Sequence, residues 1–392
     1  MSDDLQKVVS DKMKVIEQVM EMFEHGAEVI ASTVGQLFPV FEVAAPLVKL
    51  ALENMETREV QYTKVQLQMV SSKLDVISDE VQNIGKEIEK SKMDIKYFTI
   101  EEALQTHFRK FMDILNSKPQ YRSVKKDLFL DHFVRSGGEK NLLVLHDAVM
   151  GDNLPGESVL DIALHYEERS RRVMEGMCAR LKELFCVGLI ALMGYAAITG
   201  DDEEALVSKW NDKTKNIENK MKSVIDECIA NFAEQAQIDT EKIAKEKLDK
   251  SNQQFANYIH EFLKKKYDWV KWAVLVYNHS SSHASPFQSK EKYHAVIGKS
   301  HLGIIQLKDV SLIVSYSDNP QVIDTYVIKQ LMESQDRKSD AVAVAEFISE
   351  HIPSCVVHVV SRYRGLWGSW SFFSEYFYWE NHKNVTLCVH SE

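Results

Sequence analysis

Apolar positions along the first two-thirds of the chain recur at helical spacing. Val8, Val9, Val15, Ile16, Val19 and Phe23 share one broad face and predict a helix over residues 3–25. The stretch from Val29 to Leu52 carries only two charges, Glu42 and Lys49. Pro39 and Pro46 interrupt it, since each removes an amide donor and disfavours helix in the preceding residue. Leu67, Leu74, Val81, Ile88 and Ile95 then fall seven apart, with Val70, Ile77, Ile84, Ser91 and Phe98 on the second seam. That pattern predicts a long coiled-coil-like helix; a bend near Gly85 would instead divide it into two ordinary bundle helices. After a looser stretch, helix resumes at Val159, and Leu184 to Thr199 runs 16 residues without a charge. Ile217, Met221, Val224, Cys228 and Phe232 continue a helical seam that is expected to reach about Lys266 and to pack against the heptad of residues 60–98.

From Tyr267 the period changes. Short β-rich runs occur at 269–277, 294–298, 302–307, 310–316, 355–360 and 385–390, with helical stretches at about 319–334 and 339–351. The expected architecture is mainly α: residues 1–266 form an elongated helical bundle with a long coiled-coil-like helix and two apolar segments. A small α+β domain follows at residues 267–392. Low glycine and proline, 15 and 7 of 392 residues, agree with long helices rather than a loop-rich chain.

Acidic residues outnumber basic ones by 58 to 47, which argues against nucleic acid as a partner. The opening MSDDLQKVV has acids where a secretory leader needs positive charge, so a cytoplasmic chain is expected. Five scattered cysteines without a CxxC pair read as reduced, buried thiols.

Candidate chemistry is sparse. Gly298, Lys299 and Ser300 resemble the end of a phosphate loop, but Tyr293 stands where the loop needs its first glycine. His279 and His283 could share a metal only on a helix, and the serines between them favour a loop. Asp201 to Glu204 most simply cap the helix that follows. No catalytic, cofactor-binding or metal-binding residues emerge, and an enzyme is not expected.

Two features depart from an ordinary bundle and allow membrane contact, each with an alternative: both apolar segments as helices buried in the centre of a large bundle, and the aromatic block as the core of the α+β domain. The first is the pair of apolar segments, with Leu184, Phe185, Val187, Leu189, Ile190, Leu192 and Met193 in one, and Val34, Leu37, Phe38 and Phe41 in the other, as insertion candidates. Sixteen helical residues reach only ~24 Å, short of a ~30 Å hydrocarbon core, so Leu184–Thr199 would enter as a tip. Its small residues, Gly188, Ala191, Gly194, Ala196 and Ala197, let helices approach closely in lipid. The second feature is the block from Trp367 to Trp379, with eight aromatics in 13 residues; Trp367, Trp370, Phe373, Tyr376 and Trp379 are candidates for a membrane or partner interface.

The block LFPVFEVAAPLVKLALENMETREVQYTKVQLQMVSSKLDVISDEVQNI, Leu37 to Ile84, resembles the rapunzel family of fish proteins, as does HFRKFMDIL at His107 to Leu115. That family is distantly similar to the cephalotoxin type, and its layout is similar to helical pore-forming toxins. The resemblance implies a non-enzymatic helical protein, peripheral to membranes or self-associating through apolar helices, with no catalytic residues to transfer. The alternative is a soluble coiled-coil scaffold that binds partner helices in skeletal and fin development.

Overall fold

A computed structural model describes residues 5, 7–12, 42–69, 94–152, 157–245, 251–278, 294–307, 310–335, 340–361, 368–372 and 376–392. Most of the predicted heptad lies outside these residues; of its described positions, Val60 and Leu67 are buried. The chain divides into two compact units, Met1–Ala230 and Asn231–Glu392.

The first unit is helical. Its elements are α1 (Ala44–Leu52), α2 (58–69), α3 (Asp94–Asn116), α4 (Pro119–Arg135), α5 (Gly138–Met150), α6 (Val159–Tyr166), α7 (Arg171–Thr199) and α8 (Glu203–Ala230). α4 begins on Pro119, where the missing amide donor costs nothing. Ser158 caps α6 by accepting from the Leu160 amide, and its hydroxyl donates to the Val149 carbonyl at 2.6 Å. Arg122, 3% exposed, ties α4 to the end of α1: it donates to the Ala51 carbonyl at 2.6 Å, Asn54 Oδ1 at 3.0 Å and Glu56. The first of those bonds reaches a carbonyl in the last turn of α1, where intrahelical donors run out. One hydrophobic cluster joins the helices, and α1, α3, α5, α6 and α8 all pack against α7.

The expected boundary at 266/267 moves to Ala230/Asn231. The long seam through Phe232 does not run on as one helix: α8 stops at Ala230, and α9 (Phe232–Lys245) and α10 (Asn252–Lys266) follow separately. Phe232, Ala236, Phe255, Ala256, Ile259 and Leu263 bury against strand residues Trp272, Val274, Val276 and Leu312. A helical period shows that a face is apolar, not what covers it.

The second unit holds β1 (Lys271–Asn278), β2 (His294–Ile297), β3 (His301–Gln306), β4 (Val310–Ser317), α11 (Thr325–Ser334), α12 (Ala341–His351), β5 (Cys355–Ser361), β6 (Gly368–Phe372), β7 (Phe377–His382) and β8 (Val385–Ser391). The strands make two antiparallel four-stranded sheets, in orders β3-β4-β1-β6 and β2-β5-β8-β7. Alternation along β1 sends Trp272, Val274 and Val276 toward α10, and Leu275 and Tyr277 toward Val360 of the other sheet. β5 and β8 send Val357, Val359, Leu387 and Val389 toward Ile328, Val344 and Ile348 of α11 and α12. The sheets therefore lie face to face with helices on both outer surfaces, a four-layer α/β/β/α stack that buries the central strands on both faces. Mainly α with an α+β C-terminal part is the class expected from sequence.

Candidate functional site

α7 occupies the middle of the helical unit. Leu184, Phe185, Val187, Leu189, Ile190, Leu192 and Met193 are each at most 5% exposed. A helix apolar around its whole circumference can be covered only by neighbours on every side. Two glycines set the closest approaches. A Cβ on Gly194 would lie 2.3 Å from the Phe111 ring of α3, and one on Gly188 would lie 2.6 Å from Leu142 Cδ2 of α5. The small residues thus admit large side chains from neighbouring helices, a use in a packed protein core that composition alone does not separate from lipid packing.

The N-terminal half of α7 is different. Glu175, Lys182 and Glu183 are buried, as is Glu218 of α8. Arg180 donates to Glu183 Oε2 at 2.9 Å and also pairs with Glu101 of α3. Beyond Glu183 no charge follows until Asp201, which accepts from the Thr199 hydroxyl at 2.8 Å. Asp202 then caps α8 by accepting from the Ala205 amide at 3.0 Å, as the acidic run implied. α7 is the described helix long and apolar enough to cross a membrane, and most of that stretch is buried.

Of the second apolar segment, Val34, Leu37, Phe38 and Phe41 lie outside the described residues. The part that is described, Val43–Ala51, is buried except for Lys49, and Glu42 pairs with Lys12. All five cysteines are free and buried.

The aromatic block supplies two strands that sequence periodicity missed. β6 pairs with β1 in one sheet and β7 with β8 in the other, so the block crosses between sheets and no single period of two runs through it. Trp367 and Phe373 lie outside the described residues, and Trp370 sits opposite Leu275 in the β6–β1 register. Tyr376 packs beside Phe377, Ala273 and Cys388, whereas Trp379 is 41% exposed on edge strand β7. His279 and His283 also fall outside the described residues.

Sequence analysis missed a polar layer between the sheets. His294 Nε2 and His358 Nε2 are 2.6 Å apart, with the Tyr277 ring stacked on His294. His390 Nε2 meets Ser315 Oγ at 2.8 Å, and Ser317 and Ser391 share a hydrogen bond at 3.0 Å. Burial lowers the pKa of His294 and His390 to about 4 and holds His358 well below the ordinary imidazole value. The crowding of eight of the 14 histidines beyond Tyr267 was the available signal.

Residues 53–250 match the family described as the cephalotoxin-like middle helical domain, just over half of the chain. Protein rapunzel of Danio rerio is 34% identical over 227 residues, covering 58% of this chain and 96% of that protein. The chain belongs to the rapunzel, cephalotoxin-like family. α7 lies inside the matched helical region, whereas both sheets lie beyond it. No solved structure matches.

Proposed function

We propose that this chain is a non-enzymatic, amphitropic member of a helical toxin-like family that associates with membranes, self-associating as it does so, by releasing the apolar half of α7, Leu184–Thr199. What supports the reading is the division of α7. One half is anchored by buried ionic residues, while the other is charge-free, mostly buried and of membrane composition. The short half needs thinning of the bilayer or neighbouring copies to cross it. In the absence of lipid the protein is cytoplasmic, and no cofactor takes part.

The test is dye release from liposomes by the full chain, with hydrogen exchange of residues 184–199 followed in parallel. The expected result is release together with loss of amide protection in the segment's soluble contacts. Leu189→Asp or Leu192→Asp, confirmed folded by circular dichroism, should abolish release, since a mid-bilayer acid costs roughly 2.5–3.5 kcal/mol. Full protection with no release at any lipid composition would sink the membrane reading.

One observation favours the second reading, a scaffold for partner helices. Tyr121, Val124 and Leu128, spaced three and four apart on α4, are 55%, 58% and 51% exposed. Val124→Glu with Leu128→Glu should then abolish partner capture while leaving liposome release intact; loss of release instead would assign that face to the membrane.

A further inference from the structure

The turn between α4 and α5 contains two glycines in the left-handed region, Gly137 at φ 102° and Gly138 at φ 44°. A histidine from a third helix closes it. His107 of α3, 1% exposed, brings its Nε2 within 2.6 Å of Ser136 Oγ. The Ser136 hydroxyl donates to the His132 carbonyl at 2.6 Å, so it accepts from His107, which fixes the neutral Nε2–H tautomer. From the other side of the turn, Asn141 Nδ2 donates to the Ser136 carbonyl at 2.7 Å. The second imidazole nitrogen of His107, Nδ1, is buried without a hydrogen-bond partner. The ring lies 4.7 Å from the Phe133 ring and 5.6 Å, edge-on, from His132, whose Nε2 is also buried and unpartnered. Phe133 in turn stacks on Tyr195, their centroids 4.4 Å apart. A run of three rings therefore joins the turn to the apolar half of α7.

A second proton on His107 has to sit on Nδ1, where no acceptor waits. A buried charge without a partner is far more costly than a buried lone pair, and the Phe133 face returns only a small part of the lost hydration. No carboxylate comes to its aid. Among the described residues on the helices packed against α3, His132 is the titratable group that acts on His107, and it repels. Lys110 and Asp131 act on His132 with opposite signs, Glu139 of α5 is held by Lys209 and Trp210, and Lys49 of α1 pairs with Glu203. We propose that His107 is an acid-released latch: a proton reaching Nδ1 drives the ring out, opens the Gly137–Gly138 turn and frees the Tyr195 end of α7. Burial, with repulsion from His132, lowers the His107 pKa to about 4, the direction that this geometry requires. The latch stands without the proposed function; only its consequence, an apolar half of α7 sheltered at neutral pH and offered to membranes in acid, rests on that reading.

The test is hydrogen exchange of the full chain without lipid between pH 7 and pH 5, corrected for the intrinsic exchange rate, with dye release from liposomes measured in parallel. A group that titrates near 4 when closed and 6.5 when open makes opening about twentyfold more populated over that range. That rise is expected in residues 133–141 and 192–199. His107→Gln still donates to Ser136 Oγ but takes no proton, so the rise should vanish there, while β5 and β8 keep their own acid sensitivity as a control. Ser136→Ala leaves the histidine and removes its anchor, and should open the same residues already at pH 7. Opening that ignores pH, an equal rise in His107→Gln, or unchanged exchange in Ser136→Ala would overturn the latch. Acid-dependent opening without dye release would support the latch and count against the membrane reading alone.

Discussion

Lowering the pH from 7 to 4 should remove a large share of the second unit's stability, because protons that the unfolded chain accepts are refused by the layer between the sheets. His390 is fully buried, its Nε2 on Ser315 Oγ and its Nδ1 2.8 Å from the Ser391 carbonyl. Between His294 and His358 there is room for one proton, since the two Nε2 atoms already share a hydrogen bond. Of the groups facing these rings, the Ser391 carbonyl favours a charged His390, but burial outweighs it, and the neighbouring histidines repel. His301 lowers the pKa of both His294 and His358, and the Tyr277 phenol is itself pushed up by burial. The folded values lie near 4 for His294 and His390, against an ordinary value of 6.5. Between those limits the unfolded chain binds more protons, so stability is complete above about pH 6.5, falls as the pH drops toward 4 and levels off below. Each of these two histidines contributes a loss of about 2 kcal/mol by pH 5 and about 3 kcal/mol by pH 4, and His358 adds to it with the same sign. Domains commonly have ~5–15 kcal/mol in total.

Urea unfolding of the full chain at pH 7, 6, 5 and 4, followed by tryptophan emission, measures this directly, because five of the six tryptophans lie at or beyond Trp269. The midpoint should fall steadily below pH 6.5. His390→Asn should be less stable at pH 7 yet show a shallower pH dependence, having lost one of the titrating groups. A midpoint that stays constant from pH 7 to 5, or a variant with the unaltered slope, would refute the linkage.

Gly194→Ala should destabilise the helical unit by about 1–3 kcal/mol, read as a lower melting temperature, because the new methyl would sit 2.3 Å from the Phe111 ring. Arg122→Ala should cost about 2–4 kcal/mol, since it strips partners from the Ala51 carbonyl and Glu56 at the turn between α1 and α2; an unchanged melt would show that water replaces the guanidinium there.

Much of this was legible in the chain before any coordinates. The run Leu184–Thr199 announced a helix with no polar face, and such a helix has to be buried in something. The six β-rich runs beyond Tyr267 all became strands, because alternation or continuous apolarity over four to eight residues leaves few other options. β6 and β7 were missed because the aromatic block feeds two different sheets. The boundary was placed too late because α10 carries an ordinary amphipathic pattern whose partner turns out to be β1 and β6 rather than another helix. The histidine layer showed in the chain only as a crowding of histidines beyond Tyr267, and its pairing was hidden for a different reason. His294 and His358 are 64 positions apart, and only the β2–β5 register, which sets Val296 opposite His358, brings them together.

The same geometry constrains how α7 could leave its bundle under the proposed function. Moving Leu184–Thr199 from a protein core to a hydrocarbon core exchanges one apolar surrounding for another, so the segment itself gains or loses little hydrophobic free energy. What is lost lies in the helices left behind. Phe111 fits against Gly194, and Leu104 and Leu142 fit against Gly188, and all three are at most 1% exposed. With α7 gone, those side chains face water at about 1.5–3 kcal/mol each. Release is therefore favourable only where α3 and α5 also find apolar partners. Dye release by this route should accordingly rise more steeply than linearly with protein concentration on the membrane, as neighbouring copies cover the exposed faces of α3 and α5. Strictly linear dependence would mean that single copies insert, and that lipid alone covers Phe111, Leu104 and Leu142.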